Sequence, residues 1–164
     1  MGAVRAMAFE PSSGQLPLLP PLSPAAAQLL TQASRALAEA EACTDDPRRR
    51  YATAHLAALR AAAAVLAART RPEGGRRRPS SAWVLLGQVA PELGEWAGFF
   101  AAGAGKRAAA EAGLSSAVTE READDLVRDA GAFLAVVAGC LGQEPARSRP
   151  RLVGGTAPDL RQRR

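Results

Sequence analysis

The side chains best suited to chemistry lie in one short run, Asp46-Pro47-Arg48-Arg49-Arg50-Tyr51-Ala52-Thr53-Ala54-His55. His55 is the only histidine of the chain, and an imidazole can both take and give a proton near neutral pH. Arginines beside it can stabilise the charge that builds on a phosphorane. Together these are the parts of a metal-independent phosphodiester cleavage. His55 would take the proton from a ribose 2′-hydroxyl or protonate the leaving oxygen, with Arg48 or Arg50 on the phosphate. RNA carries that hydroxyl and would be cut; DNA would not. Five positions on a helix rotate by about 140°, so Arg50 and His55 point to different faces, whereas Tyr51 and Arg48 share the side of His55. Arg48, Tyr51 and His55 therefore form the better local cluster. The same residues also read as structure, with His55 flanking an apolar stripe beside Tyr51 and Arg48–Arg50 forming a solvated turn. Short spacings recur by chance in arginine-rich chains, so the structural reading carries the greater weight.

These residues open the second of four predicted helical segments in an all-α, up-down bundle of four to five helices. Ser23 as N-cap with Pro24 behind it starts a helix over about 23–43, with Leu29, Leu30, Ala33, Leu37 and Ala40 at helical spacing. Asp46-Pro47 repeats that signal for a helix over 47–70, whose stripe is Tyr51, Leu56, Leu59, Ala63 and Leu66. Ser80 or Ser81 caps a third helix, 81–112, kinked or restarted at Pro91, with Trp83, Leu86, Val89, Ala90, Leu93, Trp96, Ala97 and Phe100 inward. Gly98, Gly103 and Gly105 allow close helix approach. Thr119 and Glu122 form a capping box for a last helix over 119–141, with Leu126, Ala130, Phe133, Leu134 and Val137 inside. The acidic residues of its first turns, Glu120, Glu122, Asp124 and Asp125, suit a helix N-terminus.

A length of 164 residues fits one domain. Residues 1–22 read as a disordered Pro/Ser-rich leader, 23–141 as the bundle and 142–164 as a disordered basic tail. The apolar fraction of 48% leans on alanine, with only 4% aromatics. Core energy must then come from close helix approach and a few Leu, Trp and Phe anchors. The net charge of +5 is uneven. From Gly142 onward six arginines face only Glu144 and Asp159, which leaves the bundle almost neutral. Lys106 is the only lysine, a bias that fits a GC-rich coding sequence and dilutes any argument from arginine count. Arg76, Arg77 and Arg78, in a Gly- and Pro-flanked loop, are the natural phosphate contacts if nucleic acid binds, together with the tail.

No cofactor is implied. Gly103-Ala104-Gly105-Lys106 lacks the upstream glycine and the following Ser/Thr of a phosphate loop. Cys43, His55 and Cys140 have no metal-ligand spacing. The two cysteines fall at opposite poles of the bundle and read as small buried hydrophobes in a reducing compartment. Prolines interrupt the N-terminal segment, and no run approaches the ~18 apolar residues of a membrane span, so a cytoplasmic protein is expected.

The order of three segments resembles a known family. They are Tyr51-Ala-Thr-Ala-His55-Leu-Ala-Ala-Leu59-Arg60, then Trp83-Val-Leu-Leu86 through Ala90-Pro91-Glu92-Leu93-Gly94-Glu95-Trp96-Ala97-Gly98-Phe99-Phe100, then Thr119-Glu-Arg-Glu122-Ala-Asp-Asp-Leu126. Over about residues 25–141 the chain resembles an actinobacterial branch of the HEPN superfamily, named for higher eukaryotes and prokaryotes nucleotide binding. The resemblance implies an up-down bundle, pairing as a homodimer, and in some members a nucleotidyltransferase partner. Many members are ribonucleases whose signature places an arginine four to six residues before a histidine near the start of a late helix. Arg50 and His55 meet the spacing but sit in the second helix, and the fourth carries no histidine. The expectation is a non-catalytic HEPN-like module for nucleic acid, nucleotide or protein, with Tyr51 and Arg76–Arg78 as contacts. A toxin-like ribonuclease using Arg48, Arg50 and His55, or a pure assembly module, are the alternatives.

Overall fold

The computed structural model describes residues 21–70 and 80–142, and all its regular structure is helical. The elements are α1 (Pro24–Ala42), α2 (Pro47–Arg69), α3 (Ala82–Val89), a 3-10 turn (Pro91–Leu93), α4 (Gly94–Glu111) and α5 (Glu120–Cys140). The expected leader and tail, apart from residues 21, 22 and 142, and the loop arginines 76–78 lie outside the described residues.

Helix starts follow the side-chain chemistry. Ser23 Oγ accepts from the Ala26 amide, Asp46 Oδ1 from those of Arg48 and Arg49, and Ser81 Oγ from that of Val84. Thr119 and Glu122 close the capping box reciprocally, with Glu122 Oε2 accepting from the Thr119 amide at 2.9 Å. Of the kink or restart expected at Pro91, the structure has the restart, with two helices in place of one. Ala90, forced out of the helical region by the proline after it, has φ −134° and ψ 74°, and the chain makes a 3-10 turn before α4 begins. At the end of α4, Gly113 takes φ +79° and Leu114 N donates to Ala109 O at 3.2 Å, a Schellman-type stop.

α2 is the central element, packed by α1, α3, α4 and α5. This overturns the expected stripe. Of Tyr51, Leu56, Leu59, Ala63 and Leu66 only Tyr51 is buried, and the fully buried positions are His55, Val65 and six alanines between Ala54 and Ala64. A helix surrounded on all sides selects small side chains that let neighbours approach, so its leucines are left in the half-exposed seams. α1 does the same: Ala26, Ala33, Ala36 and Ala40 are buried, while Leu29, Leu30 and Leu37 are half-buried. α5 presents the predicted face, with Leu126, Ala130, Phe133, Leu134 and Val137 all buried. By length and composition α2 also passes for a membrane span, contrary to the sequence expectation, because alanine raises its hydropathy. In this fold it is the core helix. Both cysteines are free, and Cys140 is exposed rather than buried.

Large side chains gather where α3, α4 and α5 meet over α2. Trp83 stacks on Phe100 with ring centroids 5.2 Å apart, and Phe133 sits 5.2 Å from Phe100 and 5.5 Å from Trp96. This cluster forms one wall around His55.

Candidate functional site

Tyr51 and His55 lie one turn apart on α2 and both face α4 at Gly103. A Cβ on Gly103 would stand 3.0 Å from Tyr51 Oη and 3.6 Å from His55 Cδ2, so the missing side chain is what lets the two helices close here. One turn earlier on α4, the Phe100 carbonyl lies 2.9 Å from His55 Nε2. A carbonyl can only accept, so Nε2 carries the proton and donates, and Nδ1 is left with a bare lone pair. That Nδ1 is buried and has no hydrogen-bond partner among the described residues.

His55 is 1% exposed and stands edge-on to Trp83 and Phe100, at 5.7 and 5.8 Å. Burial pushes its pKa below the ordinary histidine value and outweighs the Phe100 hydrogen bond, while the Arg107 charge adds to the depression. The imidazole is therefore neutral at pH 7. Burial likewise raises the Tyr51 phenol, against a smaller lowering by Lys106.

α4 and α5 both pack on α2, yet their backbones stand apart and only side chains bridge them. Phe133 reaches between Trp96 and Phe100 at one end, and the Lys106 ammonium pairs with the Glu122 carboxylate at the other. Between these struts runs a cleft of about 440 Å³, floored by Tyr51 and His55 and walled by Phe99, Phe100, Gly103 and Leu126. Past Phe99 and Asp129 it continues into a hollow beside Glu95 and Trp96. Its α5 rim is acidic, carrying Glu122, Asp125 and Asp129. The Lys106 contact and the two Thr119 hydrogen bonds hold the Glu122 carboxyl at a pKa of about 2.

The expected arginines are elsewhere. Arg48 donates from Nη1 to the Gly113 carbonyl at 2.9 Å and from Nε to Asp46, tying the start of α2 to the end of α4. It lines a separate hollow with Asp46, Thr53 and Glu111. Arg50 pairs with Asp124 at 3.1 Å, joining the first turns of α2 and α5. The fold thus brings together Tyr51 and His55 and leaves Arg48 and Arg50 outside the cleft that they floor. Arg76, Arg77 and Arg78 lie outside the described residues. Sequence reading missed Phe99, Gly103, Lys106 and the Asp125/Asp129 rim as parts of one cleft. The available signal was that Glu122, Asp125 and Asp129 recur at helical spacing opposite the lone lysine. The described residues carry ten Lys/Arg against twelve Asp/Glu, so the body itself is slightly acidic and the surplus of positive charge lies outside it.

A bundle of α-helices wrapped round a buried α2, with a histidine near the start of that helix, is the class of domain this geometry defines. A family model described as SAV_6107-like HEPN matches residues 38–138, from the end of α1 through nearly all of α5, and the chain belongs to that HEPN family. No curated protein and no solved structure matches the chain.

Proposed function

We propose that the chain is a non-catalytic HEPN interaction module, in which contact with nucleic acid falls to arginines outside the helical body. The observation that carries this reading is the state of His55, sealed from solvent with its Nε2–H spent on the Phe100 carbonyl. A general acid or base must reach the substrate oxygen directly or through one water. At 1% exposure, with its one N–H given to Phe100, His55 does not meet that requirement. The slightly acidic body supports the second half of the reading, because affinity for a polyanion grows with the number of phosphates that cations neutralise.

End-labelled RNA incubated in EDTA with the wild type or with His55→Ala should stay intact on a denaturing gel in both lanes. Cleavage by the wild type alone would overturn the reading in favour of a toxin-like ribonuclease. Where RNA is bound, Arg76, Arg77 and Arg78 changed together to Gln should weaken binding uniformly across sequences. The slope of log affinity against log salt should then fall by about 2, as expected for three lost single-strand phosphate contacts. Binding that ignores salt would favour the pure assembly module, for which the open cleft between α4 and α5 is the supporting feature. Pairing of two 17.0 kDa chains belongs to the same proposal and is read by light scattering.

A further inference from the structure

The cleft between α4 and α5 has Tyr51 and His55 at its floor, an exposed Phe99 at its lip (47% exposed) and an acidic α5 rim. Asp129 and, at the far end, Glu95 make no ion pair among the described residues. We propose that this cleft is the docking site of the chain's own arginine-rich C-terminal segment, residues 147–153, laid antiparallel along α5.

Three observations point to this occupant. The first is where the described chain stops. α5 is one wall of the cleft, and just past its end Gly142 takes φ +68°, with its amide donating to Gly139 O at 3.1 Å. A left-handed residue at that position ends the helix and breaks the line of its axis.

The second is spacing. Arg147, Arg149 and Arg151 alternate with Ser148 and Pro150, and the proline favours an extended backbone. In an extended chain alternate residues share one face about 6.6 Å apart. One turn of α5 separates Asp125 from Asp129, and four residues of helix rise about 6 Å. Two extended arginines therefore match the two rim carboxylates in step, Asp129 unpaired among the described residues and Asp125 shared with Arg128 of its own helix. The lengths agree as well. Five extended residues from Gly142 to Arg147 span about 17 Å, and the thirteen helical residues back from Gly142 to Asp129 rise about 20 Å.

The third is chemistry. From Gln143 onward the segment carries six arginines against Glu144 and Asp159, while the described body has more acids than bases. Guanidinium groups on a carboxylate rim form charge-assisted hydrogen bonds that set the register of the segment.

The test uses the full chain with the photo-crosslinker p-benzoylphenylalanine in place of Phe99, an exposed position whose replacement leaves the core intact, and a second protein with the same label at Val84 on α3 (53% exposed). Each is irradiated at low salt as an equal mixture of 14N- and 15N-labelled protein and mapped by mass spectrometry. The expected result is a crosslink from position 99 to residues 147–153 of the same isotope, lost in 1 M NaCl and in Asp125→Lys/Asp129→Lys, with none from position 84. Mixed-isotope crosslinks at position 99 would give the cleft to a second copy and overturn the proposal. So would no crosslink to the tail, or equal crosslinking from both positions.

Discussion

Against α1, helix α2 is met by Ala33, Ala36 and Ala40, side chains that stop at Cβ, whereas toward α4 and α5 it presents Tyr51 and His55 and is met by Phe100, Gly103 and Leu126. The first flank closes through small side chains at its buried positions, with the leucines left at its edges. The second closes on α4 where Gly103 makes room, and holds α4 and α5 apart from each other with aromatic and charged struts. One alanine-rich helix thus serves as a spacer on one side and as the floor of a cleft on the other. The difference lies in what its neighbours bring, since alanine itself is permissive of either.

The cleft flank is most vulnerable at the aromatic strut. Phe100 is fully buried and touches Trp83, Trp96 and Phe133, so Phe100→Ala should cost about 3–5 kcal/mol, read as a lower urea midpoint. The spacer flank should fail in the opposite sense, by overfilling. Ala36→Leu adds three carbons at a buried position of the core and should cost about 1–3 kcal/mol by the same measurement.

The cleft flank carries a titration that the spacer flank lacks. His55 has a folded pKa below its unfolded value of about 6.5, so between the two the unfolded chain binds the extra proton. Stability is then fully present above the unfolded pKa and falls as pH drops below it, by up to about 1.4 kcal/mol per pH unit until the folded pKa is reached. Between pH 7 and 5, His55→Gln should flatten this slope. Glu122 does not disturb that window: its pKa near 2 gives stability that is lost only as pH falls from about 4.5.

The smallest effect sharpens the comparison at Gly103. Gly103→Ala gains helix propensity of up to about 1 kcal/mol but places a methyl 3.0 Å from Tyr51 Oη, so alone it should be nearly neutral. In a Tyr51→Phe background the methyl meets no hydroxyl, and the same change should then stabilise by most of that amount, a difference that a double-mutant cycle reads.

Much of the fold was legible because helix punctuation is local. Ser23, Asp46, Ser81, the Thr119/Glu122 box and the break at Pro91 each act within four residues, and the face of α5 is marked by Leu, Phe and Val. The face of α2 was not legible. Alanine scores alike inside and outside, and the leucines of α2 and α1 fall in seams because the helices approach too closely to admit them. Tyr51 and His55 were legible as neighbours from their spacing alone. The places of Arg48 and Arg50 depend on Gly113 and Asp124, more than sixty positions away, and the cleft exists because two helices fail to pack, a property no single segment encodes.

The Glu122 carboxylate does two jobs at once, closing the cap on the first turn of α5 and pinning Lys106 of α4. Cleft width and the fraying of that turn are therefore one motion. Amide hydrogen exchange at residues 120–124 becomes a gauge of whatever occupies the cleft: an occupant that draws α4 and α5 together slows exchange there, and one that wedges them apart quickens it, with no contact to those amides in either case.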